Sequence, residues 1–288
     1  MLISKIGKEF GFDVVNDQKI DNLKLLFQNK TNSLVFINNC NLLRSVLDNT
    51  NIKVIIAPPD CTRPATKKVE LIKAKDPKTK FFEIHDFLLK KTNFYFKKTK
   101  SNISEKATVS ERAAISPFNV TIEGGAVIED FVTIEANVHI KADSHIKSGA
   151  YIGGDGLFVI DYNGTKKIVP HGGSVFISEG AVIGPNTVID KGLFKDTTFV
   201  GKNTVIDSLV RIAHNSSIGD NCVIAGNTSI SGSTIIHDNV YIEPNATIGA
   251  KIVIGNHAQV GTGTVVIEDI PEGRHVIGRS VGHIPVIK

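Results

Sequence analysis

Valine or isoleucine stands at every sixth position from Val200 to Val266, through Ile206, Ile212, Ile218, Ile224, Ile230, Ile236, Ile242, Ile248, Ile254 and Val260. An α-helix repeats at 3.6 residues and a strand at 2, so neither alone sustains strict sixes over this length. Short strands joined by corners do, when each flat face takes one step of the register. Three such faces close a triangular coil, with the aliphatic positions stacked inside as ladders. The polar positions keep the same register. Asn recurs at the third place after the aliphatic position, at Asn203, Asn215, Asn221, Asn227, Asn239 and Asn245. Asn tolerates positive φ and can therefore turn a tight corner. At the fourth place come small or branched side chains such as Thr204, Cys222, Thr228 and Ala246. A sandwich of independent strands has no reason to hold one register for so long.

The sixfold step begins earlier, at Ile103, Val109 and Ile115, and after a slip of one place runs from Ile122 to Ile152. It stops at Gly153, where Gly153 to Phe158 leads into an excursion carrying Lys166, Lys167, Pro170 and His171. It resumes at Ile177, Ile183 and Ile189, and pauses again over Lys191 to Thr198. Loops ejected from a solenoid at selected corners are where such scaffolds place function.

Residues 1 to about 100 lack this register. Ile3 to Phe10 reads as a short helix stopped by Gly11, Ser33 to Ile37 and Ile52 to Ala57 as strands with a helical Leu42 to Leu47 between them, and Phe81 to Lys91 as an amphipathic helix. The expected organisation is a small α/β domain over 1–100, a mainly β coil over 101–270 and a short tail over 271–288. The basic, aromatic connector (Lys90, Lys91, Phe94, Tyr95, Phe96, Lys97, Lys98, Lys100) reads as a solvated linker.

Composition changes this picture little. Aromatics are 7% and Trp is absent, as a core of stacked Ile and Val requires. The net charge of +4 is spread thinly and gives no nucleic-acid footprint. Cys40, Cys61 and Cys222 show neither metal nor disulfide spacing, so no metal site is expected and a reducing compartment fits. With no signal segment and no membrane-length apolar run, the expected location is the cytoplasm. Val205, Val210, Ile235, Val253 and Val265 fall outside the core register and would face outward. Apolar outer faces are economically covered by a cyclic homo-oligomer, with a site in the groove between subunits.

The densest chemistry lies in Asp207-Ser208-Leu209-Val210-Arg211-Ile212-Ala213-His214-Asn215. His214 stands two places past the core position Ile212, so its side chain should leave the coil. Gly232 holds the equivalent place three faces further on, one coil above. Neighbouring coils are about 4.7–4.9 Å apart, which sets a backbone N–H over the imidazole. Asp207 is near enough in the coil to orient the ring. A base, a backbone donor and a carboxylate suit acyl transfer. A surface histidine at a corner is the simpler reading of His214 taken alone. His139, His237 and His257 read as solvated, and no Ser–His contact is fixed for hydrolysis through Ser208 or Ser231.

The Asp207–Asn215 segment, with Ile230-Ser231-Gly232-Ser233-Thr234 after it, resembles the UDP-3-O-acylglucosamine N-acyltransferases of lipid A synthesis. Ile152-Gly153-Gly154-Asp155-Gly156-Leu157-Phe158 is similar to that family's Asp-Gly-Phe loop, and Ile189-Asp190-Lys191-Gly192 with Asp196-Thr197 to its Ile-Asp-Arg-Gly…Asp-Thr stretch. The N-terminal domain resembles the family's nucleotide-binding domain, with Phe36 and Asn39 at matching places. The resemblance implies a left-handed parallel β-helix assembled as a homotrimer. It implies transfer of an acyl group from an acyl-carrier-protein phosphopantetheine or CoA thioester to the amine of a UDP-linked amino sugar, with no covalently bound cofactor. By position, His214 would be the general base, the Gly232 N–H the oxyanion donor and Asp207 a supporting carboxylate, with Asp155, Gly156 and Phe158 forming part of the substrate loop. The sequence departs from the family at Leu42 (an aromatic beside the nucleotide base), at Lys251 (a second active-site His) and at Ser208 (an Asn), and it ends before the family's C-terminal helical extension. These departures keep two other readings open: N-acylation or acetylation of another nucleotide-linked amino sugar from acyl-CoA, and a non-catalytic β-helix scaffold.

Overall fold

The structure is a computed structural model and describes residues 1–26, 28–62, 69–162 and 164–278. They fall into two compact units: Met1–Lys97 with Leu157–Pro170, and Lys98–Gly156 with the residues from His171 onward.

In the first unit the strands Asn22–Leu23, Ser33–Phe36, Ile52–Ala57 and Glu70–Lys73 form one parallel sheet in chain order. The Ile52–Ala57 strand is buried at all but one residue, as a strand covered on both faces must be. The helix Ile3–Phe10 ends where expected, on Gly11 in the left-handed conformation (φ 66°). The later helix is longer than its apolar face suggests and spans Pro77–Lys91. It starts at the cap instead: Asp76 accepts a hydrogen bond from the Thr79 N–H at 2.9 Å, and Pro77 occupies the first turn. The first and last strands show no usable period because they are short.

Two expectations fail in this unit. Cys40 and Cys61 form a disulfide, with Cα atoms 5.3 Å apart. Their separation of 21 residues carries no signal in sequence; the fold brings the 3₁₀ turn Cys40–Leu42 beside the loop after Ile52–Ala57. Cysteine usage therefore no longer argues for a reducing compartment. The connector is not a solvated linker either, because Phe94 and Tyr95 are buried. The Tyr95 hydroxyl lies 2.5 Å from His85 Nδ1, and the far nitrogen of that ring lies 2.7 Å from the Pro170 carbonyl. The excursion contributes an antiparallel hairpin, Val159–Tyr162 with Thr165–Ile168, whose Tyr162 hydroxyl donates to Glu83 at 3.0 Å.

The second unit is a left-handed parallel β-helix with three parallel sheets of eight, eight and nine strands. Ile206 pairs with Ile224, Ile212 with Ile230 and Ile218 with Ile236, each partner lying three faces further along the chain. The aliphatic positions from Ile122 to Val266 are buried in one continuous core. All six corner asparagines from Asn203 to Asn245 have φ between 54° and 63°. Buried hydroxyls are satisfied by the neighbouring coil: Thr204 Oγ1 donates to the Gly219 carbonyl at 2.7 Å and accepts from the Cys222 N–H at 3.0 Å.

Insertions leave the aliphatic positions paired, with a shift in register between Ile152 and Gly154. Ile152 pairs with Ile189, and Ile189 with Ile212, although more chain than three faces need separates each pair. Both excesses are absorbed outside the core. Val210 corrects the outer-face reading. It stands at the fourth place after Ile206, the inward small-residue position, and is buried, whereas Val205 and Ile235 are exposed as expected. Ile103 at the first turn is exposed as well, having no coil beneath it among the described residues. His139 keeps 36% of its side chain exposed while its Nε2 lies 2.8 Å from Glu123 Oε1 and its ring stands 5.0 Å from Phe176.

Candidate active site

His214 follows the strand Arg211–Ile212 at a corner, half-buried. Gly232 stands directly above it. A Cβ built on Gly232 would lie 2.8 Å from His214 Nε2 and 2.9 Å from Cε1, so only glycine lets the imidazole sit there. The stack continues through the backbone: the Ser233 N–H donates to the His214 carbonyl at 2.9 Å, and the Lys251 N–H to the Gly232 carbonyl at 3.1 Å. Lys251, at φ 64°, is thus a corner residue of the next coil.

The electrostatics favour a neutral ring. Burial pushes the His214 pKa below its ordinary value, and Arg211 acts the same way. A hydrogen bond from the ring to the Asn215 side chain and the carboxylates of Asp190 and Asp196 oppose this without reversing it. Asp190 is 2% exposed. Burial raises its pKa, while the Arg211 guanidinium, 2.9 Å from Oδ2, favours the ionised form.

Asp207, expected beside the ring, is exposed and lies next to Gly226, whose built Cβ would come 3.2 Å from Asp207 Oδ2. Ser208 serves the corner, its carbonyl accepting from the Asn227 N–H at 3.1 Å. Gly156 does converge on His214, and Asp155 reaches the His171 backbone beside it. Asp155 Oδ1 lies 3.0 Å from Lys191 Nζ and accepts from the His171 N–H at 3.1 Å. A Cβ on Gly156 would meet Asp190 Oδ2 and His171 Nε2 at 3.1 Å and His214 Cδ2 at 3.2 Å. In the first unit, the Phe36 ring lies 5.1 Å from that of Phe81, and Phe158 lies 5.4 Å from Phe82. Asn39 caps the 3₁₀ turn by accepting from the Asn41 N–H at 2.8 Å, and Leu42 is exposed at 44%.

Sequence reasoning misses three residues: His171, Asp190 and Asn215. Asn215 reads only as a corner residue, yet its Oδ1 also accepts from the Leu193 N–H at 2.8 Å, tying the His214 corner to the 191–196 loop. Asp190 could be found by allowing for the insertion, since the pairing of Ile189 with Ile212 sets it one coil below Ala213. His171 carries no sequence signal, because only the path of the excursion returns it to the coil.

A family model described as bacterial transferase hexapeptide (six repeats) matches residues 197–232 and 233–268. The matched residues, 197–268, carry the sixfold step of the coil without interruption. Relatives point the same way over part of the chain. The UDP-3-O-acylglucosamine N-acyltransferase of Fusobacterium nucleatum is 44% identical over 75 residues, 26% of this chain and 22% of the relative. That of Caulobacter vibrioides is 49% identical over 57 residues, 20% and 16% of the two chains. The resemblance read from the sequence therefore holds over the matched part, which is 20–26% of this chain and about a fifth of these relatives' length. Among solved structures, the UDP-N-acetylglucosamine acyltransferase of Francisella novicida superposes with a TM-score of 0.49 at 26% identity, over 61% of this chain and 66% of that one.

Proposed function

We propose that this protein is an N-acyltransferase that moves an acyl group from an acyl thioester to the amine of a UDP-linked amino sugar, as in lipid A synthesis. The observation that carries the reading is His214, held neutral by burial with its Nε2 edge against Gly232 of the next coil. A neutral imidazole accepts the amine proton as the nitrogen attacks the thioester carbonyl. The Gly232 N–H donates to the oxyanion of the tetrahedral adduct. The C–S bond then breaks, and the departing thiolate takes the proton back from the imidazolium. No covalent enzyme intermediate is needed, because a thiolate is a good leaving group.

Phe36 and Asn39 are the proposed contacts for the nucleotide, and Asp155 and Gly156 belong to the loop that closes on the base. Asp190 and Asp196 take the supporting role expected of Asp207, since they are the carboxylates acting on the ring. The donor is the phosphopantetheine thioester of acyl-carrier protein or CoA. A homotrimer covers the outer-face aliphatics, of which Val205 and Ile235 are each 42% exposed. A cytoplasmic site of action suits these substrates, and among the described residues no helix is long and apolar enough to cross a membrane.

The test is thiol release from short and long acyl thioesters against a panel of UDP- and dTDP-amino sugars, with His214→Ala beside the native protein. General-base loss should lower kcat about 10²–10⁴-fold with the fold intact. Full activity in that variant removes His214 as the base, and silence across the panel in the native protein favours the scaffold reading.

A further inference from the structure

We infer that His171 is a positioning residue that fixes the His214 imidazole through an edge-to-face ring contact. The inference rests on the reading of His214 as the general base. The two ring centroids are 5.2 Å apart with planes at 69°, the arrangement that ring quadrupoles favour.

His171 is well placed to act as a fixed wall. It is 2% exposed. Its own N–H donates to Asp155 Oδ1 at 3.1 Å, and that carboxylate is anchored 3.0 Å from Lys191 Nζ. The next two residues are tied to the same insertion, Gly172 N–H donating to the Leu193 carbonyl at 2.9 Å and Gly173 N–H to the Gly192 carbonyl at 2.8 Å. The His171 backbone is therefore pinned at three successive residues.

Gly156 shows how closely the pair is fitted. One built Cβ at that position would touch both rings, His171 Nε2 at 3.1 Å and His214 Cδ2 at 3.2 Å. Gly232 abuts the other edge of the His214 ring, at Nε2 and Cε1. A histidine at a solenoid corner would otherwise sample several rotamers. Here two glycines and a second ring confine it, and a displacement of about 1 Å is enough to cost 10²-fold in rate.

This predicts a role for ring shape at position 171 and none for the proton. His171→Ala removes the wall, and His171→Phe keeps an aromatic edge without a titratable nitrogen. In the thiol-release assay, His171→Ala should lower kcat about 10–100-fold while KM changes less than about twofold, and His171→Phe should restore most of the loss. Ring ¹⁵N spectra of His214 read the same effect without turnover. They should show one sharp tautomer pattern in the native protein and the Phe variant, and averaged or broadened signals in the Ala variant. Native kcat in His171→Ala, a Phe variant no better than the Ala variant, or an unchanged His214 ring spectrum in His171→Ala would each overturn the inference. A native protein that transfers no acyl group counts against the proposed function alone, because the ring spectra still decide the positioning.

Discussion

Gly232→Ala isolates the stacking of imidazole and backbone. The added Cβ would stand 2.8 Å from His214 Nε2, 2.9 Å from Cε1 and 3.2 Å from the His214 carbonyl oxygen. Ordinary contacts of this kind begin near 3.4 Å. The ring must therefore recede by about 0.6 Å, or the two coils must part against the Ser233-to-His214 hydrogen bond. The softer response is the side chain, because the corner backbone is held by the coils above and below. Gly232 is not among the positive-φ residues, so alanine meets no dihedral penalty. A shift of that size costs about 10-fold or more in kcat, scaling from 10² for a displacement near 1 Å. Stability should move by less than about 1 kcal/mol, a few degrees in Tm at most. Steady-state thiol release beside a thermal melt separates the two effects. Wild-type kcat in a folded Gly232→Ala protein would refute the stacked geometry as the source of catalysis. A collapse of Tm with kcat lost in proportion to folded protein would refute the claim that the ring moves before the coil.

Because burial lowers the His214 pKa, the acid limb of kcat/KM should fall below about pH 6.5, the ordinary imidazole value. A limb at or above that value contradicts the burial argument. Asp190→Asn removes a negative charge that favours the imidazolium, so it should move the limb to still lower pH; an upward shift would show that Asp190 does not act on the ring. Reducing the Cys40–Cys61 disulfide, which closes a 21-residue separation, should cost the first unit about 3 kcal/mol in urea unfolding. Identical midpoints with and without reductant would show that the bridge contributes nothing in solution.

What can be read from the chain divides along physical lines. The β-helix is legible because its constraint is local and repeated: each coil buries the same aliphatic position and turns on the same place after Ile206, Ile212 or Ile218. His214 and Gly232 are legible for the same reason, since three uninterrupted faces always mean one coil. Asp190 and His171 are not, because insertions break that arithmetic and the partners depend on where the chain returns. Nearness in sequence draws Asp207 to the ring, but it sits at the corner before the strand Arg211–Ile212, whereas His214 sits at the corner after it. The disulfide and the buried Phe94 and Tyr95 depend on contacts between distant segments, which no period in the first unit records. Val210 misleads when judged by its neighbours and not by its place in the step that begins at Ile206.

The indifference of the inner ladder to what interrupts it has a practical consequence. Ile152 meets Ile189, and Ile189 meets Ile212, as though the intervening residues had been removed. Shortening or exchanging either insertion should then leave the melting behaviour of the prism almost untouched while altering which molecules it accepts. Such a chain can diversify its chemistry by loop grafting, with the repeated aliphatic ladder left to hold the prism together.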